Sequence, residues 1–192
     1  MTRLISTTLF FLTVGFTSSL LGQGRVDADP ILHKIWWTTW KIDADRSLTC
    51  NIVSSNNQNN EIELLATYYR KDSLFKIIKL RKQNRGAQLT TYYFSEDKPI
   101  FISVRKNNYS LSSDKTKFEK AVLSFADTTD SSDIRKKPQY KVNYQAEYFF
   151  YNGEVRYVNI MTDEFIRVDN KKDFIEGLQM YKEAQLLFKK RL

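Results

Sequence analysis

Thr91-Tyr92-Tyr93-Phe94-Ser95-Glu96-Asp97-Lys98-Pro99-Ile100-Phe101-Ile102 is an aromatic run, a polar turn and a second apolar run. That order of features is a β-hairpin. The pattern also stands 24 residues earlier, as Thr67-Tyr68-Tyr69-Arg70-Lys71-Asp72-Ser73-Leu74-Phe75-Lys76-Ile77-Ile78. It returns as Glu147-Tyr148-Phe149-Phe150-Tyr151-Asn152-Gly153-Glu154-Val155-Arg156-Tyr157-Val158. Working outward gives strand pairs at 62–70 with 74–81, 87–95 with 99–106, and 141–151 with 154–161. Asn152-Gly153 is the strongest turn signal, because both residues tolerate positive φ. Short turns make consecutive strands antiparallel neighbours. The expected product is a twisted meander of about six strands, with a further short strand at 48–53.

A helix is expected on either side of these strands. Asp29-Pro30 places an N-cap before a proline at the first helical position, and apolar residues then recur at spacings of three and four to about Ala44. Asn170 caps a second helix running to about Arg191, with Asp173 completing a near capping box. One face reads as Phe174, Leu178, Tyr181, Ala184, Gln185 and Phe188, widened by Ile175 and Leu187. Such a basic amphipathic helix can lie on a membrane, but a twisted sheet needs a cover, so packing against the sheet is expected. The fold class is therefore α+β: an antiparallel meander with the N-terminal and C-terminal helices packed on one face. The opposite face would then expose tyrosine rings among basic residues.

The first 24 residues are set apart from this fold. Arg3 is followed by an apolar and hydroxyl-rich run to Leu21, and Gly22-Gln23-Gly24 supplies small residues where a signal peptidase cuts. This reads as a cleaved signal peptide, followed by a single domain over 25–192. Export to the periplasm or the exterior follows, with no membrane-spanning segment after cleavage. Removing Arg3 lowers the formal charge from +8 to +7. An exported basic protein meets anionic lipid or acidic polysaccharide before nucleic acid, although charge also serves solubility. Residues 107–140 are a long polar insertion in the meander, read as mobile.

Few residues invite chemistry. Cys50 is the single cysteine and His33 the single histidine, so disulfides, most histidine metal sites and most triads fail on residue count. Cys50 reads as a small apolar filler. The carboxylate pairs Glu61/Glu63, Glu96/Asp97 and Asp163/Glu164 lack any sign of burial. No phosphate loop is present, no cofactor is expected, and the chain is not expected to be an enzyme. The binding candidates are Tyr69, Tyr93, Lys79 and Arg105 on the open sheet face, together with Trp37. In the cluster Trp36, Trp37 and Trp40, two rings are expected to pack the helix on the sheet, with one partly exposed. The alternative is stacking on a sugar.

Taken together, these hairpins, the preceding amphipathic segment and the polar loop at 54–60 resemble a type of small exported Gram-negative envelope protein with repeated aromatic hairpins. The resemblance carries over no catalytic residue. Glu96-Asp97 stands where that pattern favours an Asn-Gly-like turn, and the lipid-attachment cysteine is missing. The leading expectation is a non-catalytic envelope module that binds a protein partner or an anionic surface. The alternatives are an inhibitor or immunity-like protein of an exported enzyme, and a hydrolase built on Glu61 or Glu63.

Overall fold

The computed structural model describes residues 25–56, 62–83, 86–107, 142–162, 166–168 and 170–190. The expected signal peptide, residues 108–140 of the insertion and the pair Asp163/Glu164 lie outside the described residues, as does Glu61. Helix α1 (Pro30–Ala44) precedes strands β1 (Thr49–Asn56), β2 (Ile62–Arg70), β3 (Ser73–Gln83) and β4 (Gly86–Ser95). Strands β5 (Lys98–Asn107), β6 (Val142–Tyr151), β7 (Glu154–Thr162) and β8 (Ile166–Val168) follow, and helix α2 (Lys171–Lys190) closes the chain. The strands form one sheet in sequence order, β1 to β8, with every neighbouring pair antiparallel. It is a seven-strand meander extended by the three residues of β8. The expected α+β meander is therefore present: the six paired strands, the further strand anticipated at 48–53 as β1, and the short unanticipated β8.

Both helix starts follow from local chemistry. The Asp29 carboxylate accepts from the amides of Ile31 at 2.9 Å and Leu32 at 3.3 Å, ahead of Pro30. Burial raises the Asp29 carboxyl, but those two amides and the Arg156 guanidinium outweigh it and hold the group below its usual range. The Asn170 side chain accepts from the amide of Lys172 at 3.0 Å.

The helices sit on opposite faces of the sheet, which corrects the expectation of one shared face. Side chains alternate along a strand, so neighbours report opposite faces. Tyr92, Phe94, Tyr148 and Phe150 pack with Tyr181 and Ala184 of α2. Tyr93, Phe101, Phe149 and Tyr157 pack with Leu32, Ile35 and Ile42 of α1. Further along the α1 face, Leu64, Ala66, Ile78, Leu80, Ala87 and Leu89 form another buried cluster. Unbroken aromatic runs are what a sheet buried on both faces needs. Each such ring contributes on the order of 2–3 kcal/mol on burial.

The repeat is also out of step by one residue in its first copy. Each hairpin carries a register shift two to three residues before its turn: at Tyr68/Tyr69, Tyr93/Phe94 and Phe149/Phe150. Aligned on these bulges, Tyr68 corresponds to Tyr93 and Phe149, an offset of 25 and not 24 in the first step. Tyr69 then matches Phe94 and Phe150 on the α2 face. Glu96 and Asp97 adopt φ of 51° and 62°, close to Asn152 and Gly153 at 53° and 85°. Both tight turns therefore take the left-handed conformation, although only one has the residues that favour it.

Gly177 lets α2 approach the sheet. A Cβ there would lie 2.9 Å from Tyr148 Cδ1 and 3.1 Å from Val155 Cγ2. Of the expected apolar face of α2, Phe174, Tyr181, Ala184, Leu187 and Phe188 do pack on the sheet. Asp173, Gly177, Tyr181 and Ala184 point inward, whereas Ile175 and Leu178 are exposed.

Candidate functional site

The placement of the five sequence candidates starts from the two covered faces. Tyr69 and Lys79 lie on the α2 side, while Tyr93 lies beneath α1 and Arg105 projects from that same face as an exposed residue. No open tyrosine face gathers them. Lys79 Nζ donates to Glu183 of α2 at 2.9 Å and lies 3.5 Å from Glu63, so it ties helix to sheet. Arg81 takes the same Glu63 carboxylate at 3.0 Å. Tyr69 is half-buried against the α2 cluster.

Tyr93 belongs to a buried polar knot that the sequence reading missed. Its hydroxyl donates to Asp43 Oδ2 at 2.8 Å, and Lys76 Nζ donates to Asp43 Oδ1 at 2.8 Å. Lys76 occupies the place that Phe101 and Tyr157 hold in the other hairpins, and its ammonium lies 4.7 Å from the Tyr68 ring centre. The signal was present in the chain: a lysine where the other copies have an aromatic, and an acid near the end of the preceding helix. Burial, followed by the Asp43 charge and hydrogen bond, pushes the Tyr93 phenol well above its usual range. The exposed Cys50 lies near Tyr68 and Lys76, but partial burial outweighs both and pushes its thiol up.

Trp37 falls on a different surface, the outer side of α1. Leu32, Ile35, Thr39 and Ile42 make the buried side of this helix. Trp36 is half-buried, whereas Trp37 and Trp40 are 43% and 52% exposed. One ring packs inward and two face out, the reverse of the expectation, because Thr39 and Ile42 take the inward positions of the last turns. The outward rings stack at 4.8 Å with an interplanar angle of 12°. Lys41 Nζ sits 5.6 Å from the Trp37 ring centre, and His33 and Lys34 are exposed beside them.

The acids of α1 and its two caps are engaged away from this ridge. Asp29 caps the helix and receives Arg156 at 3.1 Å, Asp43 faces Lys76, and Asp45 pairs with Arg70 and Ser47. A cleft of about 460 Å³ runs along the neighbouring flank, between α1 and the tips of the β4–β5 and β6–β7 hairpins. Ile31, Ile35, Pro99, Ile100 and Phe150 line it, with Lys34, Lys98, Glu96 and the exposed Tyr151. Its volume suits a side chain or a small ligand.

The arrangement offers apolar rings and cations for contact. Among the described residues, no group of three His, Cys, Asp or Glu is placed to hold a metal ion. Glu63 is occupied by Arg81 and Lys79, and Glu96 and Asp97 are exposed turn residues. No described helix is long and apolar enough to cross a membrane. In comparison with known proteins, no family model, no curated protein and no solved structure matches the chain.

Proposed function

We propose that this protein is a non-catalytic exported envelope module that binds an anionic membrane surface through the outer side of α1. The observation that carries the reading is the stacked, outward-facing Trp37–Trp40 pair, set among Lys34 and Lys41, with the acids of α1 and its caps engaged elsewhere. Tryptophan favours the boundary between headgroups and acyl chains, where its ring is buried and its N–H stays wet. Lysine supplies attraction to anionic headgroups. Kinship with small exported envelope proteins bearing aromatic hairpins belongs to the same proposal.

About 100 Å² of each half-exposed ring would leave water on docking, or roughly 2.5 kcal/mol per ring as an upper figure. Co-sedimentation with phosphatidylcholine vesicles, with and without phosphatidylglycerol, tests this. Binding should require the anionic lipid, weaken as salt rises, and fall at least 10-fold in W37A/W40A. Equal binding to neutral vesicles, or an unchanged affinity in W37A/W40A, would reject the reading.

A protein partner is the second reading. The cleft beside the ridge favours it, since an apolar side chain entering between α1 and the hairpin tips would anchor a peptide there. Such a complex should survive high salt, in contrast to attachment by charge.

A further inference from the structure

We infer that the outer side of α2 is a second membrane-binding face directed away from the first, so that one molecule bridges two anionic bilayers. The inference rests on the proposed role of α1. Every exposed residue of α2 is Lys, Gln, Ile or Leu. Ile175, Leu178 and Leu186 stand out at 53%, 45% and 59% exposure, with Lys182 and Lys189 along the same line. Spacings of three and four keep these residues on one side of the helix.

The acids of α2 are withdrawn from that side. Asp173 is buried at 1% exposure, Glu183 is taken by Lys79, and Glu176 is half-buried near the Tyr148 hydroxyl. A solvated helix face ordinarily mixes both signs. Here the cations stay outside while aliphatic side chains protrude between them. That composition suits an anionic bilayer: the aliphatics reach the acyl boundary and the lysine stems extend to the headgroups. An acidic polysaccharide would match the charge but offer the three aliphatics nothing to enter.

The topology turns two such faces into a bridge. Helices α1 and α2 cover opposite faces of one sheet, so their outer sides point in opposite directions. A single bilayer therefore engages one face and leaves the other presented to a second.

The probe is unilamellar vesicles of phosphatidylcholine and phosphatidylglycerol, with binding read by co-sedimentation and clustering by turbidity. The wild-type protein should bind and cluster vesicles, and excess protein should reverse the clustering as each face saturates separately. L178S/L186S keeps every charge and replaces only exposed residues; unfolding midpoints verify its fold. It should still bind through α1 yet cluster at least five-fold less; W37A/W40A, its affinity cut at least 10-fold, should keep only the weaker attachment through α2 and likewise lose clustering. Binding without clustering in the wild type overturns the bridge and leaves the α1 face standing. No binding by the wild type removes both. Undiminished clustering by L178S/L186S shows charge neutralisation alone and overturns the inference. So does a vesicle-free dimer that L178S/L186S abolishes, because a second copy then covers α2.

Discussion

Replacing Asp43 by alanine should be among the most damaging single changes outside the apolar core. The Asp43 carboxylate accepts from Lys76 on one oxygen and from Tyr93 on the other, each at 2.8 Å. The Lys76 side chain is only 6% exposed, so alanine at 43 leaves a buried ammonium among aromatic rings without its counter-charge. Deleting one partner of a buried pair costs about 3–5 kcal/mol. Asp43 is itself 29% exposed, which admits water to the vacated site and places the cost near the lower end, about 3 kcal/mol. Lys76→Met should behave differently. It fills a similar volume, removes the cation and leaves a carboxylate that water can reach, at a cost of about 1 kcal/mol or less. The double variant D43A/K76M should then recover about 2 kcal/mol relative to D43A. Urea unfolding at pH 7, compared at a common slope, measures all three. The reasoning fails if Asp43→Ala costs under about 1 kcal/mol, or if Lys76→Met is equally damaging.

Other expectations come from single positions. Gly177→Ala should destabilise by about 1 kcal/mol, as overpacking against Tyr148 and Val155 exceeds the gain in helix propensity; a more stable variant would mean that α2 can lift without cost. Replacing Glu96-Asp97 by Asn-Gly should raise stability by about 1 kcal/mol in thermal unfolding, because both residues hold positive φ. Asp29→Ala should cost about 1 kcal/mol at pH 7. Its carboxyl is depressed in the fold, so that contribution is complete above the unfolded value, about pH 4, and is lost as pH falls through the folded value; wild type and variant should converge in acid unfolding curves.

The hairpins and both helix starts were legible because their signals are local: aromatic runs broken by polar pairs, Asp29 before Pro30, and Asn170 before the second helix. The covering of the sheet was harder to read. Tyr92-Tyr93-Phe94 and Tyr148-Phe149-Phe150 do not alternate, and that continuity is the sign of two buried faces, not of an open one. Tyr93 and Lys79 look like binding residues in isolation, but their partners Asp43 and Glu183 are 50 and 104 residues away. Such pairing depends on which helix covers which face. The α1 ridge was half legible: the tryptophan cluster was conspicuous, but which rings turn outward depends on Thr39 and Ile42 taking the inward positions.

The sheet order carries a consequence for assembly. Each strand lies beside its predecessor in the chain, so pairing can advance from β1 to β5 through short connections and resumes at β6 after the one long gap. The last element to join is α2, yet Tyr181 and Ala184 close the cluster that holds Tyr92, Phe94, Tyr148 and Phe150. A chain stopped after β8 would carry its strands already zipped with one greasy side bare. The final 20-residue helix is thus the latch of the fold, and its docking separates a sticky intermediate from a finished protein.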